Sequence, residues 1–268
     1  GRLLVLRPDM TIPIARVVAT KIKDELLPLK CCYIGNTFCF DELGGGRQNE
    51  FTQAGVEILG IHSPESDAEI IAMAVKAVRS CGLKEFQIDI GQVDFFKGIM
   101  EKTGLSPDEV EEVRELIDRK DFVAVEQVIN RHKVSEDLKA LILDLPRLFG
   151  NKDILAGISR DPIGEKASAA LDYLQKVLDI LEDRGLARYV SIDLGMVQSL
   201  NYYTGIVFRG YAYGVGFPIL SGGRYDGLVS KFGKDCPATG FSMGVNMVMM
   251  ALERQNRADN GSPAGILI

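Results

Sequence analysis

Residues 51–59 read Phe51-Thr52-Gln53-Ala54-Gly55-Val56-Glu57-Ile58-Leu59. The run is short, apolar and rich in residues that fit a pleated surface, and it predicts a β-strand. Side chains alternate along a strand, so Ala54, Val56 and Ile58 share one face and Gln53, Gly55 and Glu57 the other. A carboxylate and an amide separated by a glycine make a polar floor that a small amino compound could approach closely. The competing reading is a face that meets solvent, and the pattern alone weighs the two evenly.

Outward from this strand, the N-terminal side predicts a helix from about Thr11 to Leu26, with Pro13 early, where a missing N–H costs little. Leu3 to Leu6 read as a strand before it. On the C-terminal side a helix begins at Ser63-Pro64, or at a Ser66/Glu69 capping box, and stops at Gly82. Phe86, Ile88 and Ile90 then alternate with Gln87 and Asp89 in another strand. From about 104 to 185 only helical periodicity is visible. Ser106-Pro107-Asp108-Glu109 opens one helix, Ser135 caps another, and Glu165 to Glu182 forms a longer one ending at Gly185. Residues 186–252 return to glycine-rich strands and close with a helix from about Val245 to Arg254. This organisation predicts an α+β fold in three stretches: 1–103 and 186–268 as two parts of one core, and 104–185 as an all-helical insertion.

The chain has 268 residues and 46% hydrophobic content, enough to bury a full core. A net charge of −6 argues against a protein that wraps a nucleic-acid backbone. No apolar run reaches the length of a membrane span, and no signal-peptide pattern opens the chain. Five cysteines without CxxC spacing, and only His62 and His132, predict a reduced, cytoplasmic protein with no metal site and no cofactor. Leu3–Leu6 and Gly265–Ile268 read as strands cut at their edges, so the natural protein is expected to be longer.

Three further stretches could carry chemistry. Asp9 and Thr11 sit where strand turns into helix, and taken in isolation they read as turn and N-cap residues before they read as a site. In Leu200-Asn201-Tyr202-Tyr203-Thr204-Gly205, adjacent tyrosines point to opposite sides, so one can face a pocket while the other packs. In Ser221-Gly222-Gly223-Arg224-Tyr225-Asp226-Gly227 the glycines permit close backbone approach or a tight turn, with no phosphate-loop spacing. Gly44-Gly45-Gly46 reads as a hairpin tip.

Taken in order, these stretches resemble the class II aminoacyl-tRNA synthetase core of histidyl-tRNA synthetases. Leu6-Arg7-Pro8-Asp9-Met10-Thr11 resembles the family's LRPEGT segment, and Phe38 to Phe51 has the length of its motif 2 hairpin. Leu200–Tyr203 resembles LDYY, Gly222–Gly227 is shared outright, and Gly240–Gly244 is similar to motif 3. The resemblance implies an antiparallel sheet flanked by helices. It also implies that Asp9, Thr11, Gln53, Glu57, Tyr203 and Tyr225 line a histidine-like pocket, Asp9 standing where the family has an imidazole-reading carboxylate.

Three positions depart from the synthetase pattern. Its catalytic arginines are replaced by Cys39 in motif 2, Gln198 before the tyrosine pair and Met247 after motif 3, while Arg47 survives. Amino-acid activation builds charge on phosphate oxygens, and losing one preorganised donor typically costs about 10²–10³ in rate. The chain therefore resembles the regulatory subunits of ATP phosphoribosyltransferase, whose LRPDMT, EFTQAGVE, YYTGIVF and PATGF segments it matches. That resemblance implies a non-catalytic subunit in the first step of histidine biosynthesis, with histidine as a feedback ligand. It further implies a homodimer assembled with a short-form catalytic subunit, and no membrane or tRNA partner. A divergent histidyl-tRNA synthetase core, or a free-standing binding module of the same ancestry, are the alternatives.

Overall fold

The computed structural model describes residues 4–38, 49–197 and 203–260. Eight strands form one sheet: β1 (Leu29–Phe38), β2 (Glu50–Leu59), β3 (Phe86–Gln92), β4 (Phe149–Gly150), β5 (Val190–Asp193), β6 (Ile206–Ala212), β7 (Leu220–Arg224) and β8 (Ala238–Gly244). Their order is β1-β2-β8-β7-β6-β3-β5-β4. Nine helices accompany them: α1 (Thr11–Thr20), α2 (Pro64–Ser80), α3 (Val93–Glu101), α4 (Pro107–Asp118), α5 (Phe122–Ile129), α6 (Glu136–Asp144), α7 (Asp153–Ala156), α8 (Gly164–Asp183) and α9 (Val245–Asn260), among the described residues.

The sheet is antiparallel as expected, with one exception. β3 and β5 run parallel, Ile88 opposite Val190. A parallel pair needs a crossover, and here the crossover is the helical stretch itself. That stretch is also not purely helical, because Phe149 and Gly150 pair with Asp193 and Ile192 at the sheet edge. Two residues carry no readable period, so β4 leaves no trace in the sequence.

Helix starts follow local chemistry closely. Ser63 accepts a hydrogen bond from the Ser66 N–H with Pro64 in the first turn, and Ser106 and Glu109 form a reciprocal capping box at α4. Ser135 accepts from the Leu138 N–H at α6. Two expectations fail, and one helix goes unanticipated. α1 stops at Thr20, not Leu26: the Lys21 and Ile22 N–H groups both close on the Val17 carbonyl, and Pro28 disfavours helix ahead of it. Residues 4–7 form no strand; Leu4, Val5 and Leu6 are exposed, and among the described residues their backbone meets the sheet where the Phe38 N–H donates to the Arg7 carbonyl. α3 follows β3 directly, with the Gln92 side chain accepting from the Asp94 N–H. The terminal Gly265–Ile268 stretch and the Gly44–Gly46 tip lie outside the described residues.

Apolar side chains cover the two faces of the sheet. One face packs Ile58, Ile88, Ile90 and Phe208 against α2, α3 and α8. The same cluster continues through Val113, Ile142 and Leu171 of the helical stretch. At Gly98 a Cβ would meet the Ala167 backbone nitrogen at 2.6 Å, so α3 and α8 touch backbone to backbone. The opposite face packs Leu59, Val207 and Tyr225 against Ala15 and Val18 of α1 and the turn Val229–Phe232. Between α1 and this second face lies a pocket lined by polar side chains.

Candidate ligand site

A cavity of about 150 Å³ opens on the α1 side of the sheet. Its lining includes Asp9, Thr11, Gln53, Glu57, Tyr203 and Tyr225, with Ser221, Gly222, Gly240 and Ser242 from β7 and β8. All six residues expected from the sequence therefore meet, although they span more than 200 positions in the chain. The volume corresponds to about five water molecules at ~30 Å³ each, room for a small molecule and not for a nucleotide. No Lys or Arg lines it among the described residues.

Glu57 forms the floor and is 1% exposed, which removes the solvent-facing reading of β2. Its Oε1 accepts from Thr11 Oγ1 at 2.9 Å and Tyr33 Oη at 3.3 Å, and its Oε2 from Tyr225 Oη at 2.5 Å. Burial pushes its pKa up to about 7, against the downward pull of hydrogen bonds from Tyr225, Thr11 and Tyr33; the nearby Asp9 charge raises it further. The backbone is shaped around this carboxylate. A Cβ at Gly240 would stand 1.6 Å from Glu57 Oε2, so only glycine leaves room for it.

Tyr33 is the site residue that sequence reading misses. β1 pairs Tyr33 with Gly55. A Cβ at 55 would stand 2.4 Å from the Tyr33 hydroxyl, so the missing side chain lets the ring lie across the strand to reach Glu57. Burial, then Glu57, raise the Tyr33 pKa and keep the phenol protonated as a donor. The signal available in the sequence was Gly55 itself, between Gln53 and Glu57, once β1 is placed beside it.

Asp9, half-buried, and Gln53, buried, complete the polar lining. Asp9 accepts from the Ile12 N–H at 2.9 Å through Oδ1, the turn role anticipated as its alternative. Gln53 Oε1 accepts from the Met10 N–H at 3.0 Å, which leaves the amide nitrogen as its donor.

The segment Gly222–Gly227 divides its labour. Tyr225 reaches Glu57, while Arg224, 1% exposed, turns the other way. Arg224 donates to Asp67 through Nε at 3.0 Å and Nη2 at 2.9 Å, to Ser66 Oγ at 2.8 Å, and through Nη1 to Asp226 Oδ1 at 2.9 Å. Tyr173 Oη also donates to Asp67, at 2.8 Å. This buried network ties α2 and α8 to β7 and contributes no group to the cavity. Of the three departures from the synthetase pattern, Cys39 and Gln198 lie outside the described residues, as does Arg47. Met247 sits half-buried in the first turn of α9, where a Cβ on Gly244 would meet its Sδ at 2.9 Å.

The family described as Histidyl-tRNA synthetase matches residues 1–248 of this chain. A protein of Acetivibrio thermocellus named ATP phosphoribosyltransferase regulatory subunit is 64% identical over 255 residues, covering 95% of this chain and 61% of that protein. Its namesake in Caldanaerobacter subterraneus subsp. tengcongensis is 44% identical over 268 residues, covering 100% of this chain and 70% of that one. The chain thus spans a little under two thirds of the first of these relatives. Among solved structures, an ATP phosphoribosyltransferase regulatory subunit/histidyl-tRNA synthetase from Bacillus halodurans superimposes with a TM-score of 0.83 at 32% identity, over 95% of this chain and 72% of that one. Histidyl-tRNA synthetase from Nostoc sp. PCC 7120, 22% identical, shares the fold with a TM-score of 0.78 over 96% of this chain and 62% of its own. The chain belongs to the histidyl-tRNA synthetase family and, within it, to the ATP phosphoribosyltransferase regulatory subunits.

Proposed function

We propose that this chain binds histidine in the Glu57 cavity and regulates a separate ATP phosphoribosyltransferase catalytic subunit, performing no chemistry itself. The observation that carries the reading is the Glu57 carboxylate, buried under three hydroxyl donors at the end of a cavity sized for a small molecule. An imidazole N–H is a donor that Glu57 can accept deep in the site, and Tyr225 confines the ring beside it. The amino group of the same ligand then falls near Asp9 and Gln53. This order, with Glu57 and not Asp9 on the imidazole, follows from depth: Glu57 is buried, Asp9 is half-buried and already holds the turn of α1.

Absence of catalysis rests on the replaced arginines Cys39, Gln198 and Met247. Adenylate formation needs preorganised positive charge at the phosphates. Regulation requires histidine to bind two states of the complex with different affinity, since equal affinity shifts nothing. Support for an assembly comes from Leu4, Val5, Leu6 and Ile34, which are 87%, 81%, 70% and 77% exposed, an apolar display that suits subunit contacts in a homodimer within a hetero-oligomer.

Calorimetric titration of the chain with histidine, repeated with Glu57→Ala, tests the pocket: binding lost in the variant supports it, and equal affinity in both rules the cavity out. Co-purification with a short-form catalytic subunit tests the partner. One observation favours the alternative of a divergent synthetase: Arg209 lies cross-strand from Ser221 of the cavity wall and could supply a substitute cation. Robust histidine-dependent ATP–pyrophosphate exchange would establish that alternative and defeat the regulatory reading.

A further inference from the structure

A second, larger groove of about 650 Å³ lies between the C-terminal end of α2, the start of β3 and the turn Ala187–Tyr189. Its lining includes Arg79, Lys84, Glu85, Phe86, Arg188 and Tyr189. Three cations and one acid share this ground in a chain whose net charge is −6. Tyr189 organises it. Tyr189 is 9% exposed, and its ring stacks on Phe86 with centroids 5.0 Å apart and planes 11° from parallel. The guanidinium carbons of Arg79 and Arg188 stand 5.4 and 4.6 Å from the centre of that one ring. Arg188 Nη2 also donates to Tyr189 Oη at 2.5 Å.

Both guanidinium groups thus lie against a buried, stacked aromatic and not against a counter-charge. Among the described residues, Arg79 and Arg188 form no ion pair, unlike Arg114, Arg119, Arg147 and Arg160 but like Arg16, Arg131 and Arg184. A cation in the last turn of α2 complements the helix terminus, which accounts for Arg79. It does not account for Arg188, which reaches the same ring from another element. Three cations against the single carboxylate of Glu85 raise the local positive potential and attract an anion. Planar forks match phosphate oxygens two bonds at a time, and the volume falls in the range of nucleotide-sized ligands.

We propose that this groove binds a di- or triphosphate-bearing small molecule through Arg79 and Arg188. The site is separate from the Glu57 cavity and stands or falls independently of it. Calorimetric titration of the chain with tripolyphosphate, at low salt, is the test. Saturable binding is expected, weakened about tenfold by Arg79→Gln and again by Arg188→Gln, since each removes a charge-assisted contact. Glu57→Gln should leave it unchanged, which separates this site from the histidine reading. Glu85→Gln, which removes the one acid, should tighten binding, and this holds the test open should the double arginine variant fold poorly. No binding by the parent, binding undiminished in a folded double variant, or capture of an RNA oligonucleotide with no affinity for tripolyphosphate would each overturn the proposal.

Discussion

Glu57 is nearly inaccessible to solvent, yet three hydroxyl groups donate to it, and the balance leaves its pKa near 7 where an ordinary value is 4.5. Between those two values the native state holds a proton that the unfolded chain has released. The stability this group contributes therefore falls as pH rises through that window, is level below it, and is level again above it once both states are ionised. At about 1.4 kcal/mol per unit the whole effect is about 3 kcal/mol. In urea unfolding across that range, Glu57→Gln is expected to lose this slope and to gain on the parent as pH rises; parallel curves for the two proteins would refute the assignment. Gly240→Ala tests the same carboxylate sterically. Its methyl group would fall 1.6 Å from Glu57 Oε2 and 2.7 Å from the Val56 carbonyl. A loss of about 2–3 kcal/mol on chemical denaturation is expected, together with loss of histidine binding; wild-type affinity in the variant would show that the carboxylate position does not matter.

Between elements, the strongest tie is polar. Asp67 of α2 and Arg224 of β7 are 0% and 1% exposed and share two hydrogen bonds, with Tyr173 of α8 donating to the same carboxylate. Removing one partner leaves a buried charge without compensation, so Asp67→Ala is expected to cost about 3–5 kcal/mol in equilibrium unfolding; a change under about 1 kcal/mol, the range of surface pairs, would show that the pair is not buried in solution. At this scale the sequence is informative where chemistry is local. Ser63, Ser106 and Ser135 announce α2, α4 and α6 because each hydroxyl meets an N–H three residues on. It is silent on α3, whose cap is a glutamine, and on β4, whose two residues pair only because β5 passes beside them. Residues 4–6 show the converse, an apolar run that does not pair as a strand although β1 lies at the sheet edge.

Across the whole molecule, one apolar cluster runs from Ile58 and Phe208 of the sheet to Leu171 of α8 and Ile142 of α6. The helical crossover and the sheet are then expected to unfold together. Leu171→Ala, at a fully buried position, should cost about 2–5 kcal/mol. Far-ultraviolet circular dichroism, which follows the helices, and near-ultraviolet tyrosine signals should shift by the same amount in one transition. Two separated transitions would mean the crossover is a unit of its own.

The sequence by itself determined the alternation that sets Gln53, Gly55 and Glu57 on one face and most helix starts, because strand period and capping act over a few neighbouring residues; the six residues that line the cavity were named by the resemblance to histidyl-tRNA synthetases, not by local pattern. Tertiary structure alone decided that this face is buried, that Tyr33 crosses Gly55 to reach Glu57, and that Arg224 beside Tyr225 points into a structural network. It also decided that Arg79 and Arg188 share one ring. Burial and electrostatics depend on which distant segments come together, and no local pattern in the chain encodes that distance.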